Sequence, residues 1–159
     1  MASSDAPPTF LVFGAGVIGL TTALTLRSAY PTSDITVVAK HFPGDRSIEY
    51  TSPWAGANWS SFARDNGILE NYDRITFHKF SKLVEEHPEA GIGRQGMWGV
   101  FDAPLEETGL LSEGTGKIWY EELVGGIREL SKEELPAEAV FGIDIKSTFR
   151  IDTQKYLGW

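Results

Sequence analysis

The stretch TFLVFGAGVIGLTTALTL, Thr9 to Leu26, decides how the chain begins to fold. Thr9-Phe-Leu-Val-Phe13 is a short continuous apolar run between Pro7-Pro8 and Gly14, which predicts a buried strand. Val17 to Ser28 places Leu20, Ala23 and Leu24 at helical spacing, and Tyr30-Pro31 stops it. Ile35 to Ala39 is a second, β-branched strand, so the opening spells strand–helix–strand with the strands parallel. Gly14-Ala15-Gly16-Val17-Ile18-Gly19 lies at the strand–helix junction as G-x-G-x-x-G. The first glycine serves a tight turn, the second lets a pyrophosphate approach the backbone, and the third lets helix and strand pack closely. The helix start adds N–H donors and a positive dipole end.

The motif does not choose its dinucleotide. An NAD or FAD site of this plan usually ends its second strand in an acid that holds a ribose hydroxyl. Here Lys40 and His41 follow the strand, and the nearest acid, Asp34, precedes it. With Arg46, these residues would suit the 2′-phosphate of NADP, so NADP and FAD both stay open on the motif alone.

Outward from this unit, residues 41–66 are rich in Gly, Pro, Ser, Asp and Asn and read as a long loop. Phe42, Tyr50, Trp54, Trp59 and Phe62 inside it argue for order. Leu69 to Glu86 carries a helical apolar stripe ended by Pro88, and Gly96 to Asp102 reads as a strand. Ser131 to Glu134 resembles the start of a short capped helix. Val140 to Arg150 reads as a strand pair or one long strand, and Asp152-Thr153 caps a helix that has barely begun at Trp159. That ending suggests a piece of a longer polypeptide.

The chain has 159 residues, 42% hydrophobic and 23% charged, which suits one globular domain with a real core. A net charge of −8 argues against sequence-independent nucleic-acid binding and against a polybasic membrane anchor. Without cysteine there is no disulfide, thiol nucleophile or Cys-based zinc site. MASSDAPP has neither a basic nor an apolar signal region, and Phe10 to Leu20 is too short to span a bilayer, so the expectation is a soluble intracellular chain. His41, His78 and His87 are scattered without carboxylates at metal-site spacing, so no metal is expected. Glu85-Glu86 and Glu133-Glu134 read as solvated faces, since adjacent residues on a helix point apart.

The loop holds a second informative stretch, SPWAGANW, Ser52 to Trp59. Bare backbone at Ala55-Gly56-Ala57 would let peptide N–H groups reach the polar edge of a flat ring. Asn58 could donate to that edge, and Trp54 and Trp59 could wall the slot while filling core. A glycine turn between two core tryptophans is the plainer reading.

VFGAGVIGLTTALTL followed by YTSPWAGANW resembles the N-terminal half of the D-amino-acid oxidase family in its fungal form. GMWGVFD, KIWYEELVGGIREL and STFRIDTQKYLGW agree in order, so the likeness spans nearly the whole chain. The resemblance implies an α/β fold: a Rossmann-like FAD-binding domain, from segments about 8–68 and 140–159, with part of an interleaved substrate domain at about 69–139. It implies FAD as cofactor, D-amino acids and oxygen as reactants, and the C-terminal remainder of the polypeptide as partner. Hydride would pass from substrate Cα to flavin N5, the imino acid hydrolysing to a 2-oxo acid and ammonia while oxygen yields hydrogen peroxide.

By the same resemblance, Gly14, Ala15, Gly16, Val17, Ile18 and Gly19 carry the FAD diphosphate, and Lys40 and His41 stand on the adenosine side. Arg46 and Ser47 meet the phosphates and ribityl chain, of which only the serine matches the family's usual pattern. Ala55, Gly56, Ala57 and Asn58 face the flavin, while Asn58 and Phe62 border the substrate. The arginine and tyrosines that hold the substrate belong to the other half of the family, so no catalytic residue is identifiable here. D-aspartate oxidase shares the fold and cofactor; an NADP-dependent reductase and a non-catalytic fragment are the other readings. The family also implies peroxisomal residence for the full-length protein, and a homodimer is kept open.

Overall fold

The computed structural model describes residues 6–159; the first five residues, on which part of the signal-peptide reading falls, lie outside them. Nine regular elements follow in order: β1 (Thr9–Phe13), α1 (Val17–Ala29), β2 (Asp34–Val38), β3 (Ala57–Asn58), α2 (Ile68–Glu86), β4 (Ile92–Phe101), β5 (Ile127–Glu129), β6 (Phe141–Ile151) and α3 (Thr153–Gly158). They form an α/β chain of two compact units. One runs up to Gly56 and includes Asp152–Trp159, and the other is Ala57–Ile151. The breaks between the compact units thus follow Gly56 and Ile151. The short β3 and all of β6 pair inside the second unit's sheet, which draws their residues into it.

In the first unit, β1 and β2 pair in parallel, with Phe10 opposite Ile35 and Val12 opposite Val37, and α1 is the crossover. The junction is closed by Gly14 N–H donating to Val38 O at 2.8 Å. At the other end, Arg27 Nη1 donates to the carbonyls of Pro31 and Ser33, fastening the turn that Tyr30-Pro31 makes. The expectation of a buried first strand is corrected. Only Val12 of β1 is buried, Leu11 and Phe13 are exposed, and α1 buries no residue. Two strands and one helix cannot cover both faces of a strand that is apolar on both sides. In α3, the Asp152 carboxylate accepts from Lys155 N–H at 3.2 Å, as the sequence leads one to expect of that cap. Thr153 Oγ1 donates to Pro53 O and Ala55 O, docking α3 on a short 3₁₀ turn at Ser52–Trp54.

The second unit is built on β6, a single strand of 11 residues rather than a pair. β4 pairs antiparallel along it, from Ile92 opposite Ile151 to Phe101 opposite Phe141, with an irregularity between Gln95 and Met97. β3 and β5 pair with opposite ends of β6, through Ala57 with Ile151 and Ile127 with Ile145. α2 covers this sheet. Its Phe77 ring meets Phe149 at 4.8 Å and Trp59 at 4.8 Å, both edge-on, and Trp59 also meets Tyr120 edge-on. Such pairs add to the area these rings bury. The Arg94 guanidinium lies 4.1 Å over Phe149.

Three sequence expectations shift here. β4 begins at Ile92, before the predicted Gly96, because polar Arg94 and Gln95 at its start hide a ladder that β6 supplies. β5 was not foreseen: three residues carry too little periodicity, and β6 alone makes them a strand. Ser131 to Glu134 is a turn, not a helix. The Glu134 carboxylate does accept from Ser131 N–H at 2.8 Å, but it is also held by Arg128, and Pro136 cannot continue a helix. Among the described residues no helix is long and apolar enough to cross a membrane.

Candidate cofactor site

The glycine turn supplies the site's frame. Gly14 adopts φ +95°, a left-handed conformation that favours glycine. A Cβ on Gly19 would stand 1.9 Å from Gly14 O and 2.8 Å from Gly14 C, so the helix can sit on the turn only without a side chain there. A Cβ on Gly16 would meet Ser52 Oγ at 2.8 Å. Each glycine of the motif thus has its own structural cause. Val17, Ile18 and Gly19 form the first turn of α1, whose N–H groups have no intrahelical acceptor. An open groove of about 760 Å³ runs over this turn, lined by β1, by Gly14, Gly16 and Gly19, and by Thr51 and Ser52. A separate apolar groove of about 440 Å³, lined by α1, β2 and α3, lacks the turn's donors except at Val17 and is not this site.

Three residues that sequence reasoning missed complete the frame. Ser52 Oγ accepts from Val17 N–H at 3.1 Å, capping the helix from 35 positions away. The buried Tyr50 donates its hydroxyl to Ala15 O, and burial, with Asp45 nearby, raises its phenol pKa. Glu49 bonds Lys40 Nζ at 2.5 Å and His41 Nε2 at 3.3 Å, and these contacts, Lys40 foremost, hold its carboxyl below the usual range. No local spacing signals these three, because each acts across a loop onto the glycine turn or the end of β2. Tyr50 counted only as one aromatic among several in the loop.

The predicted site residues fall in both units. Lys40 and His41 lie just past β2, with His41 stacked on Tyr50 at 6.1 Å. The Arg46 guanidinium rests 6.0 Å over Trp54. Ser47 O accepts from Trp54 Nε1 at 3.0 Å, and its Oγ accepts from Glu49 N–H at 3.3 Å. Ala55 and Gly56 follow the 3₁₀ turn, and a Cβ on Gly56 would meet nothing within 4 Å, so its backbone is open to approach. Ala57, Asn58 and Phe62 belong to the second unit. Asn58 Oδ1 accepts from Gln95 Nε2 at 3.0 Å, and Phe62 is 89% exposed. The two tryptophans do not share one role: Trp54 is half-exposed in the first unit, whereas Trp59 is core, with Nε1 donating to Asp73 O.

These features define the class: an α/β protein whose first unit is a β–α–β element with a glycine turn at the start of its helix. Comparison with known proteins narrows it. The chain is 35% identical over 159 residues to D-amino-acid oxidase of Schizosaccharomyces pombe, covering 100% of this chain and 43% of that protein. It is 39% identical to D-amino-acid oxidase of Fusarium vanettenii, covering 95% of this chain and 42% of the relative. A D-aspartate oxidase of Talaromyces thermophilus is 29% identical, over 96% of this chain and 46% of its own length. No family model matches the chain. It is thus a homologue of the D-amino-acid oxidases along its whole length, and it spans less than half the length of these relatives.

Proposed function

We propose that this chain is the FAD-binding part of a D-amino-acid oxidase, which converts D-amino acids to 2-oxo acids, ammonia and hydrogen peroxide. The observation that carries the reading is likeness to two such oxidases along the chain, on a β–α–β unit whose glycine turn fits a diphosphate. When bound, the flavin supplies the redox chemistry, accepting hydride at N5 from the substrate Cα. In this reading the unit up to Gly56 with Asp152–Trp159 is Rossmann-like and carries the cofactor, and Ala57–Ile151 is substrate-domain material.

The chain's own residues then bind and orient. Ile18 and Gly19 offer N–H groups to the diphosphate, Ser52, which holds Val17 N–H, and Tyr50 brace the turn, and Ser47 serves the ribityl side. Gly56 leaves peptide groups accessible to the ring edge. Asn58 contributes an amide and Phe62 borders the substrate, assignments that rest on the sequence resemblance. The exposed apolar faces of β1 and α1 suit further elements of a polypeptide as long as the relatives. Peroxisomal residence and a homodimer belong to the same reading of the full-length protein. Against an NADP site stands the engagement of its three would-be clamps: Lys40 with Glu49, His41 with Asp45 and Glu49, and Arg46 with Trp54.

The test is to purify the full-length polypeptide and record its visible spectrum, then assay peroxide with D-alanine and with D-aspartate. Flavin absorbance with peroxide from D-alanine supports the reading. A colourless protein that stays so with added FAD sinks it. Activity confined to D-aspartate would favour the second reading, D-aspartate oxidase, which the Talaromyces relative motivates.

A further inference from the structure

Resting on the flavin reading above, we propose that Glu49 is the residue that selects the cofactor's ribose: it replaces the missing acid of β2, accepts from an unphosphorylated ribose, and turns away a 2′-phosphate. Folds of this plan place an acid at the end of the second strand to bind ribose hydroxyls. Here the strand is followed by Lys40 and His41, and Asp34 stands at its opposite end, in register with Thr9. Left to itself, Lys40 would welcome a 2′-phosphate, which carries close to two negative charges at neutral pH.

Tertiary structure reverses that preference. Glu49, nine residues beyond Lys40, returns to the end of β2 and places Oε2 on both Lys40 Nζ and His41 Nε2. Asp45 Oδ2 lies 3.5 Å from His41 Nδ1, so two carboxylates face the pair. Among the described residues Glu49 Oε1 carries no hydrogen bond, which leaves it as the acceptor for a ribose hydroxyl. A 2′-phosphate would instead meet two carboxylates and a lysine whose charge is already engaged.

The position is built rather than incidental. Tyr50, the next residue, is buried and bonded to Ala15 in the glycine turn, and its ring stacks on His41. Ser52 is bonded to Val17 at the start of α1. Ser47 Oγ accepts from Glu49 N–H on the other side. The loop is therefore pinned to the diphosphate-binding turn next to Glu49, which sets where the carboxylate stands relative to a bound adenosine.

The experiment uses the full-length polypeptide, stripped of flavin, as wild type, Glu49→Gln and Glu49→Gln/Lys40→Ala, with circular dichroism confirming that each is folded. Isothermal titration measures ADP-ribose against 2′-phospho-ADP-ribose, two ligands that differ only at the 2′ position. Wild type should prefer ADP-ribose. Glu49→Gln should shift the affinity ratio toward the 2′-phosphorylated ligand by roughly tenfold, as loss of one charge-assisted contact allows. The double variant should lose that gain, because Lys40 is the cation released. A ratio unchanged in Glu49→Gln, or a gain that survives removal of Lys40, overturns the proposal while normal FAD binding leaves the flavin reading intact. Failure of the wild type to bind FAD, read by quenching of flavin fluorescence, overturns both.

Discussion

Gly19→Ala is the sharpest perturbation of the cofactor frame, because the added methyl meets backbone. Its Cβ would stand 1.9 Å from Gly14 O and 2.8 Å from Gly14 C. A carbon-to-oxygen contact settles near 3.3 Å, so the helix start must retreat from the turn by more than about 1 Å. Overpacking of this kind costs roughly 1–3 kcal/mol, and the better helix propensity of alanine offsets about 1 kcal/mol of it. The net loss is up to about 2 kcal/mol, a fall in Tm of up to roughly 8 °C for a protein of this size or somewhat larger. Cofactor affinity should suffer more, since displaced N–H groups lose a charge-assisted hydrogen bond worth about 1.5–3 kcal/mol, or roughly 10–100-fold in Kd. The assays are thermal unfolding of the flavin-free full-length protein and fluorescence titration with FAD. Gly56→Ala is the matched control, having no atom within 4 Å of its Cβ and no left-handed φ; it should leave stability unchanged or raise it by up to about 1 kcal/mol. A Gly19→Ala protein with wild-type Tm and wild-type FAD affinity would refute the reasoning about the turn.

Other outcomes follow from the same geometry. Gly56→Val should fold normally, because an added Cβ has no atom within 4 Å, yet lose flavin by blocking backbone approach; unchanged flavin content would count against the assigned edge. Phe149→Ala, at the fully buried centre of the second unit, should cost about 3–5 kcal/mol in urea unfolding. Glu70→Ala should cost about 1–3 kcal/mol, since Glu70 Oε1 accepts from Ser112 Oγ and Asn66 N–H and its loss strands both donors. Arg128 holds the Glu134 carboxyl down to about 2, with Ser131 N–H assisting. A folded-state value below the ordinary 4.5 stabilises the fold above pH 4.5, and that stabilisation disappears as pH falls toward 2. Glu134→Gln should therefore flatten the acid limb of a stability–pH profile between those values, and an unaltered limb would exclude the clamp as its source.

Local sequence was sufficient where structure is set by neighbours in the chain. The β1–α1–β2 order, the three motif glycines, the stripe of α2 and the Asp152 cap all follow from periodicity, steric need or a side chain reaching its own turn. SPWAGANW was legible as open backbone at Gly56, and the resemblance it carried agrees with the oxidases the chain matches. Tertiary structure alone decided the rest. Trp59 became core and Trp54 did not, because Trp59 enters the sheet of the second unit beside β3 while Trp54 ends a turn in the first. β5 exists only because β6 pairs with it. Above all, Lys40 reads from the sequence as a cation awaiting a phosphate. Glu49 cancels that reading from across a loop, because electrostatic partners are chosen by distance in space and not by distance along the chain.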